Sequence, residues 1–203
     1  MKEETVKIPG ITESPVCARC AAKGPTCCSL GAASPDAEEP QCFPLSQPEC
    51  LRILGEAECA SILAAQPGGA PENPSGGFFV SAPNSPDFLA AMHALFPGEE
   101  AVIAKIWPDE GNHLRLFLPN GRDCVFLAAQ GCLLPPHSRP WFCRLFPFWV
   151  LKGRPRCFAP ASCLAVTEKP SLNGLLRTFA IDSAGVLDLY ARLRRDWGLN
   201  NDV

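Results

Sequence analysis

The chain has 203 residues, which is long enough for one buried core with or without an appendage, and its formal net charge is −3. This slightly acidic balance argues against general affinity for nucleic acid or for anionic membranes, which both require a basic surface. The 22 prolines, 16 glycines and single tyrosine predict a loop-rich fold with many turns.

Residues 1–16 predict a flexible N-terminal arm. The start MKEETVKIPG lacks the apolar core of a signal peptide, and no apolar run approaches the roughly 18 residues of a membrane span. We therefore expect a cytoplasmic protein with reduced thiols. Because the twelve cysteines are even in number, six disulfides are the alternative.

The first cysteine group is Cys17-x2-Cys20-x6-Cys27-Cys28. Prolines and glycines through 17–46 predict loops held by ligation rather than by regular structure. A pair of cysteines separated by two residues is a common half-site for zinc and also occurs in iron–sulfur proteins. Adjacent side chains diverge, so Cys27 and Cys28 either serve two metals or leave one thiol outside the coordination sphere.

Two helices are predicted next. Ser46-Gln47-Pro48-Glu49 forms a capping box that starts a helix to about Ala65. An insertion at 66–100 follows, with a Gly/Pro-rich loop, a short strand at 78–80 and a helix over 85–96.

The span 101–134 reads as sheet. Ala101–Trp107 is apolar and rich in β-formers, and His113–Leu118 alternates. Asn120-Gly121 predicts a hairpin whose return strand is Asp123–Leu127, and Gly131–Leu134 predicts a further short strand.

The second cysteine group comprises Cys124, Cys132 and Cys143, with Cys157 and Cys163 behind it. An all-thiolate donor set suits zinc or an iron–sulfur cluster and does not suit magnesium or calcium.

The end of the chain predicts a helix over 182–197, capped by Asp182 or Ser183. Its apolar residues form one stripe, and Arg192, Arg194 and Arg195 are expected to be mostly solvated. The apolar stripe comprises Val186, Leu187, Tyr190, Leu193 and Trp197.

Several motifs between 17 and 163 resemble one family. They are the cysteine pair and double cysteine, Asp123-Cys124-x-Phe126-Leu127, Gly131-Cys132, and Arg139-Pro140-x2-Cys143-Arg144-x-Phe146-Pro147-Phe148. Together they resemble the CxxCxxCC family of zinc- or iron-chelating domains. The chain departs from the family at Leu133-Leu134, where members often have isoleucine and tyrosine, and in its long insertion.

The resemblance and the cysteine pattern together give a candidate ligand set, with Cys163 preferred to Cys157 as the last member. The candidates are Cys17, Cys20, Cys27, Cys28, Cys124, Cys132, Cys143 and Cys163. Four thiolates around a zinc ion or an oxidised four-iron cluster leave a net negative charge that a nearby cation stabilises. We expect Arg139 and Arg144, which flank Cys143, to bind next to the cofactor, and Arg144 to neutralise the centre.

We therefore predict one α+β domain over 17–203, made of short β-hairpins and a few helices around a cysteine-rich metal centre. The predicted function is binding of zinc or an iron–sulfur cluster, in a structural, storage, transfer or sensing role. Two alternatives stay open. One is an iron–sulfur redox enzyme, or a methyl-transfer enzyme, since the wider family touches proteins linked to flagellin lysine methylation. The other is a zinc-stabilised protein-interaction module.

Overall fold

The computed structural model describes residues 15–24, 26–29, 43–55, 77–129, 131–158 and 163–199. These residues form short helices and three antiparallel strand pairs, which confirms the predicted α+β class. The helices are α1 (Pro15–Lys23), α2 (Gln47–Leu54), α3 (Pro86–Leu95), α4 (Glu100–Ile106), α5 (Trp141–Leu145), α6 (Leu164–Glu168), α7 (Leu172–Thr178) and α8 (Ser183–Asp196). The strands are β1 (Phe79–Pro83), β2 (Asn112–Leu116), β3 (Leu127–Ala128), β4 (Gly131–Cys132), β5 (Phe148–Leu151) and β6 (Arg154–Cys157), paired β1–β2, β3–β4 and β5–β6.

The first cysteine pair lies on helix α1, so the loops expected there are wrong. Proline at the first helical position and three alanines favour this helix. Residues three apart lie on the same helix face, so Cys17 and Cys20 point in similar directions. Residues 1–14 of the predicted arm lie outside the described residues.

Helix α2 begins as predicted, with the Ser46 side chain and the Glu49 side chain closing the capping box. The described part ends at Gly55, and the predicted continuation to Ala65 lies outside it. Glu49 is fully buried, whereas Leu54 is 56% exposed.

The insertion contains the predicted strand and helix. Strand β1 pairs with β2, and Ser85 caps α3 through the Phe88 backbone N–H. The expected strand at 101–107 is wrong, because these residues form α4 and bury Ile103 in the main core.

The strand pairing predicted across Asn120-Gly121 is wrong, because β2 pairs with β1 instead. The chain does reverse there, since the Asn120 side-chain oxygen accepts hydrogen bonds from the backbone N–H groups of Arg122 and Asp123. Val125 N then donates to Phe117 O at 3.1 Å. Gly121 has a positive φ of 70°, so the turn signal itself was sound. Gly131 and Cys132 form β4, as expected, and pair with β3.

The C-terminal helix α8 confirms the prediction, with the Asp182 carboxylate accepting from Gly185 N at 2.7 Å. Its inner face differs in one position, since Leu189 is buried while Leu187 is 38% exposed. Arg194 was expected to be solvated, but it is buried and forms a bidentate ion pair with Glu99 at 2.7 and 2.9 Å.

Two hydrophobic clusters organise these elements. The main cluster joins α3, α4, α5, β5 and α8 and includes Trp141, Phe142, Phe148 and Trp149. A smaller cluster comprises Ile53, Val125, Phe126 and Leu134. Among the described helices, none combines the length and apolar character that crossing a bilayer requires.

Candidate metal centre

Helix α1 brings the first cysteine pair to the second cysteine group. It packs against β4, which contains Cys132, and against α6, whose N-cap residue is Cys163. The Arg19 guanidinium on α1 and the Glu168 carboxylate on α6 form two hydrogen bonds of 2.9 and 2.8 Å. The Arg19–Glu168 pair joins residues 149 positions apart in the sequence.

A second connection places the double cysteine beside Cys124. Ser29 forms an antiparallel bridge with Asp123, and Cys124 N donates to Cys28 O at 2.9 Å. Hydrogen bonds from Ser29 and Asn120 lower the pKa of the Asp123 carboxyl, so its charge stabilises this contact. The sequence pointed to Asp123 only as a motif residue and as the first residue of the expected return strand. Because Asp123 lies three residues after Asn120, the sequence could have indicated the hydrogen bond between their side chains.

Cys17 has thiol neighbours from three segments. Burial raises its pKa to about 11, and the charges of Cys163, Cys20 and Cys28 act in the same direction. Burial is also the main reason that the pKa of Cys163 is raised, and Cys20 adds to that shift. Cys17, Cys20 and Cys163 therefore form one group, which we call the helix group.

Cys143 is at the centre of another set. Desolvation raises its pKa well above the usual value, and the charges of Cys28, Cys124 and Cys132 raise it further. Yet the Cys143 side chain is exposed to solvent. We call Cys124, Cys132 and Cys143 the strand group.

The double cysteine lies between the two groups. The pKa of the Cys27 thiol is raised by a hydrogen bond to Cys28 and by desolvation, and the charges of Cys143 and Cys17 contribute as well. The same hydrogen bond lowers the pKa of Cys28. Cys27 and Cys28 thus connect the helix group to the strand group.

The ten cysteines in the described ranges are all free thiols, which disfavours the disulfide alternative for them. The same ranges contain no group of three or more His, Cys, Asp or Glu side chains arranged to hold a single metal ion. The eight candidate thiols therefore share a region of the fold, but their side chains do not form a coordination sphere there.

The other two cysteines of the described residues lie outside these groups. Cys50 is a buried residue of α2, and Cys157 pairs with Phe148 across the β5–β6 hairpin. Cys163, rather than Cys157, is the thiol beside Cys17. Cys42 and Cys59 lie outside the described residues.

The two predicted arginines have different surroundings. Arg139 donates from Nε to Leu134 O at 2.9 Å. Burial and neighbouring thiols raise the pKa of Cys17, and the Arg139 charge opposes that shift. The Cys27 hydrogen bond lowers the pKa of Cys28, and the Arg139 charge acts in the same direction. Arg144 instead stacks on Trp141, with its Cζ 4.6 Å from the ring centroid. Its electrostatic neighbours are Arg52, Arg192 and Asp188, so the geometry favours Arg139 as the cation next to the thiols.

The buried carboxylate of Glu49 holds the helix that carries Cys143. Oε1 accepts from Trp141 N, the first residue of α5, at 2.7 Å. Oε2 accepts from Ser46 N, Ser46 Oγ and Trp197 Nε1 at 2.8–2.9 Å. The sequence predicted only the capping role. The contacts to two tryptophans 92 and 148 residues away had no local signal.

The chain matches no family model, no curated protein and no solved structure. The similarity to the CxxCxxCC family is therefore a resemblance of motifs, and the geometry above is the basis for a functional argument.

Proposed function

We propose that this protein binds zinc or an iron–sulfur cluster through eight thiolates and that its role is structural or lies in metal storage, transfer or sensing. The ligands would be Cys17, Cys20, Cys27, Cys28, Cys124, Cys132, Cys143 and Cys163. The observation that carries the proposal is the meeting of distant segments, in which α1 packs on β4 and α6 while Cys28 O accepts from Cys124 N. Clustered thiols are typical of sites for soft metals.

The grouping of the thiols supports two centres. The helix group and the strand group each supply three thiols, and Cys27 and Cys28 lie between them. If Cys27 joins one group and Cys28 joins the other, each centre has four thiolates. Four is the number that tetrahedral zinc or a four-iron cluster requires. This arrangement also suits adjacent side chains that diverge.

Charge at the site supports the same proposal. Eight thiolates require positive charge, and Arg139 supplies one fixed guanidinium among them. Burial raises the pKa of thiols such as Cys17. When metal binds, the metal cation would replace the thiol protons and stabilise the deprotonated form. Zinc would supply Lewis acidity or structural stability, and a cluster would supply electron transfer.

The exposure of two thiols favours a role in metal exchange over a purely structural one. Cys27 and Cys143 are both exposed. A partner or a small chelator can approach such thiols, whereas structural sites are usually closed.

Metal analysis tests the proposal. The protein should be purified without oxygen from cells supplied with zinc and iron, and then studied by elemental analysis and visible spectroscopy. We expect zinc in a colourless protein or iron in a brown one. Cys17→Ser and Cys143→Ser should each remove about half of the metal if two centres exist, and most of it if the thiols share one centre.

Cys157→Ser is the matched control, because this thiol lies in the β5–β6 hairpin and should leave the metal content unchanged. Wild-type protein that contains neither metal and takes up neither on anaerobic reconstitution would refute the proposal. Full metal retention in both Cys17→Ser and Cys143→Ser would refute the ligand assignment.

A further inference from the structure

Three arginines gather around the indole ring of Trp141. The Cζ atoms of Arg52, Arg144 and Arg192 lie 4.3, 4.6 and 6.0 Å from the ring centroid. They come from α2, α5 and α8, so three helices hold them in place. Guanidinium groups stack favourably on indole rings, but they also repel one another, and that repulsion must be offset.

Two aspartates offset part of this charge. Asp188 accepts from Arg192 Nε at 2.9 Å, and Asp196 accepts from Trp141 Nε1 at 2.6 Å while lying 3.9 Å from Arg52 Nη1. Three guanidinium groups facing two carboxylates leave a net positive charge. Arg195, which shares Asp196 at 3.4 Å, adds to it from the solvent side.

Arg144 is the member without a carboxylate partner. Among the described residues it donates no hydrogen bond, and its Nε is buried with no acceptor. The side chain is half-buried against Trp141, which is itself 5% exposed. A partly desolvated guanidinium without an acceptor is costly, and an anion supplied from solution would offset that cost.

We propose that Arg52, Arg144 and Arg192 form a binding site for the phosphate group of a small molecule. A carboxylate has two oxygens and is served by one guanidinium fork, whereas a phosphate presents three terminal oxygens to three guanidinium groups. The charge of a phosphate monoester, between about −1.5 and −2, also fits a site that carries excess positive charge. Because Trp141 and Arg52 are largely covered, the site admits a small group rather than an extended surface.

The site is independent of the proposed metal centre. Arg144 follows Cys143 on α5, but its stacking on Trp141 places its guanidinium among arginines and aspartates rather than among thiols. The inference can therefore be tested whether or not the protein binds metal.

Isothermal titration calorimetry on the purified full-length protein, at constant ionic strength, tests the inference. The probes are inorganic phosphate, glycerol phosphate and acetate. We expect both phosphates to bind and acetate to bind at least tenfold more weakly. Stronger binding of glycerol phosphate would indicate a phosphate ester as the ligand, and equal binding would indicate free phosphate.

Three variants define the site. Arg144→Gln should weaken phosphate binding about tenfold or more, because it removes a charge-assisted contact. Arg192→Gln should weaken it several-fold and spare the fold, since this side chain is 48% exposed. Arg154→Gln removes one charge from the exposed end of the β5–β6 hairpin and should change binding less than twofold.

Three results would overturn the inference. The first is wild-type protein that binds phosphate no more strongly than chloride. The second is acetate that binds as strongly as phosphate. The third is a loss of phosphate binding in Arg154→Gln as large as that in Arg144→Gln and Arg192→Gln. Metal content measured on the same samples separates the roles of Arg144. Metal loss in Arg144→Gln with unchanged phosphate binding would assign Arg144 to the thiol centre and overturn the phosphate site.

Discussion

The Glu49 carboxylate and the thiol region are both polar, yet they differ in how their charges are satisfied. Glu49 is fully buried and accepts four hydrogen bonds from Ser46, Trp141 and Trp197. The thiols instead oppose one another's ionisation, and Arg139 is a cation that favours it. The Glu49 carboxylate has all its hydrogen-bond partners within the chain, whereas the proposed function gives the thiol region a metal cation from solution.

This difference separates two kinds of stability. The Glu49 contacts join α2, α5 and the end of α8, so they stabilise the fold whatever the solution contains. The thiol region joins α1 and residues 26–29 to the rest, and its contribution should depend on metal. The following experiments act on one region at a time.

Removal of metal should have the largest effect. If the thiols bind metal, a strong chelator under reducing conditions should lower the free energy of unfolding by about 4 kcal/mol or more, the linkage expected at a thousandfold excess over Kd. Urea denaturation with and without chelator measures the change. An unchanged midpoint in a protein that had contained metal would contradict a stabilising role for the thiol region.

Glu49→Ala should have the second-largest effect on the free energy of unfolding, and this effect should persist without metal. It leaves the buried Trp141 N–H and the Trp197 indole N–H without an acceptor, at about 1–3 kcal/mol for each group. We expect a loss of about 3–5 kcal/mol in urea denaturation. Glu49→Gln, which keeps the volume and one acceptor oxygen, should cost less.

Glu110→Gln is the matched control for this variant, since Glu110 is exposed and should change stability by no more than about 0.5 kcal/mol. Glu49→Ala should also disturb the strand group more than the helix group, because α5 carries Cys143. Equal loss of metal from both groups would mean that Glu49 stabilises the whole fold without a preferred connection to Cys143.

The sequence predicted the features that depend on local contacts. Ser46 and Asp182 each cap a helix through a residue three positions away, and both predicted caps are confirmed. The helix predicted to open at Ser85 is also present, with Ser85 as its N-cap. The strand expected at 101–107 failed because its apolar residues fit a buried helix as well as a strand. Short apolar runs do not distinguish the two.

Prediction of the candidate site was limited in the same way. The cysteine pattern and the motif resemblance gave the eight candidate thiols, with Cys163 preferred to Cys157. The sequence favoured Arg144 as the cation that neutralises the centre, whereas the structure favours Arg139, which also flanks Cys143. Their different surroundings depend on Leu134 and Trp141, which pack through tertiary contacts.

Arg139→Gln should have a smaller effect that is confined to metal binding. Loss of the guanidinium that favours the Cys17 and Cys28 thiolates should weaken metal affinity about tenfold, as changes next to metal ligands commonly do. Competition with a chromogenic chelator measures the affinity. Arg156→Gln, at an exposed position of β6, is the control. An equal loss of metal affinity in both variants would mean that the effect comes from the net charge of the protein and not from the position of Arg139.

Arg19→Gln should have the smallest effect, and it reports on how α1 is held. The Arg19–Glu168 pair is bidentate and joins α1 to α6, but both side chains are well exposed, at 53% and 38%. Solvent and salt screen such pairs, so the variant should shift the urea midpoint slightly in low salt and not at all in 1 M NaCl. If α1 depends on metal for its position, the variant should matter more in chelated protein than in metal-loaded protein. The same small shift in both states would indicate that the packing of α1 on β4 and α6, rather than the thiols, holds this helix in place.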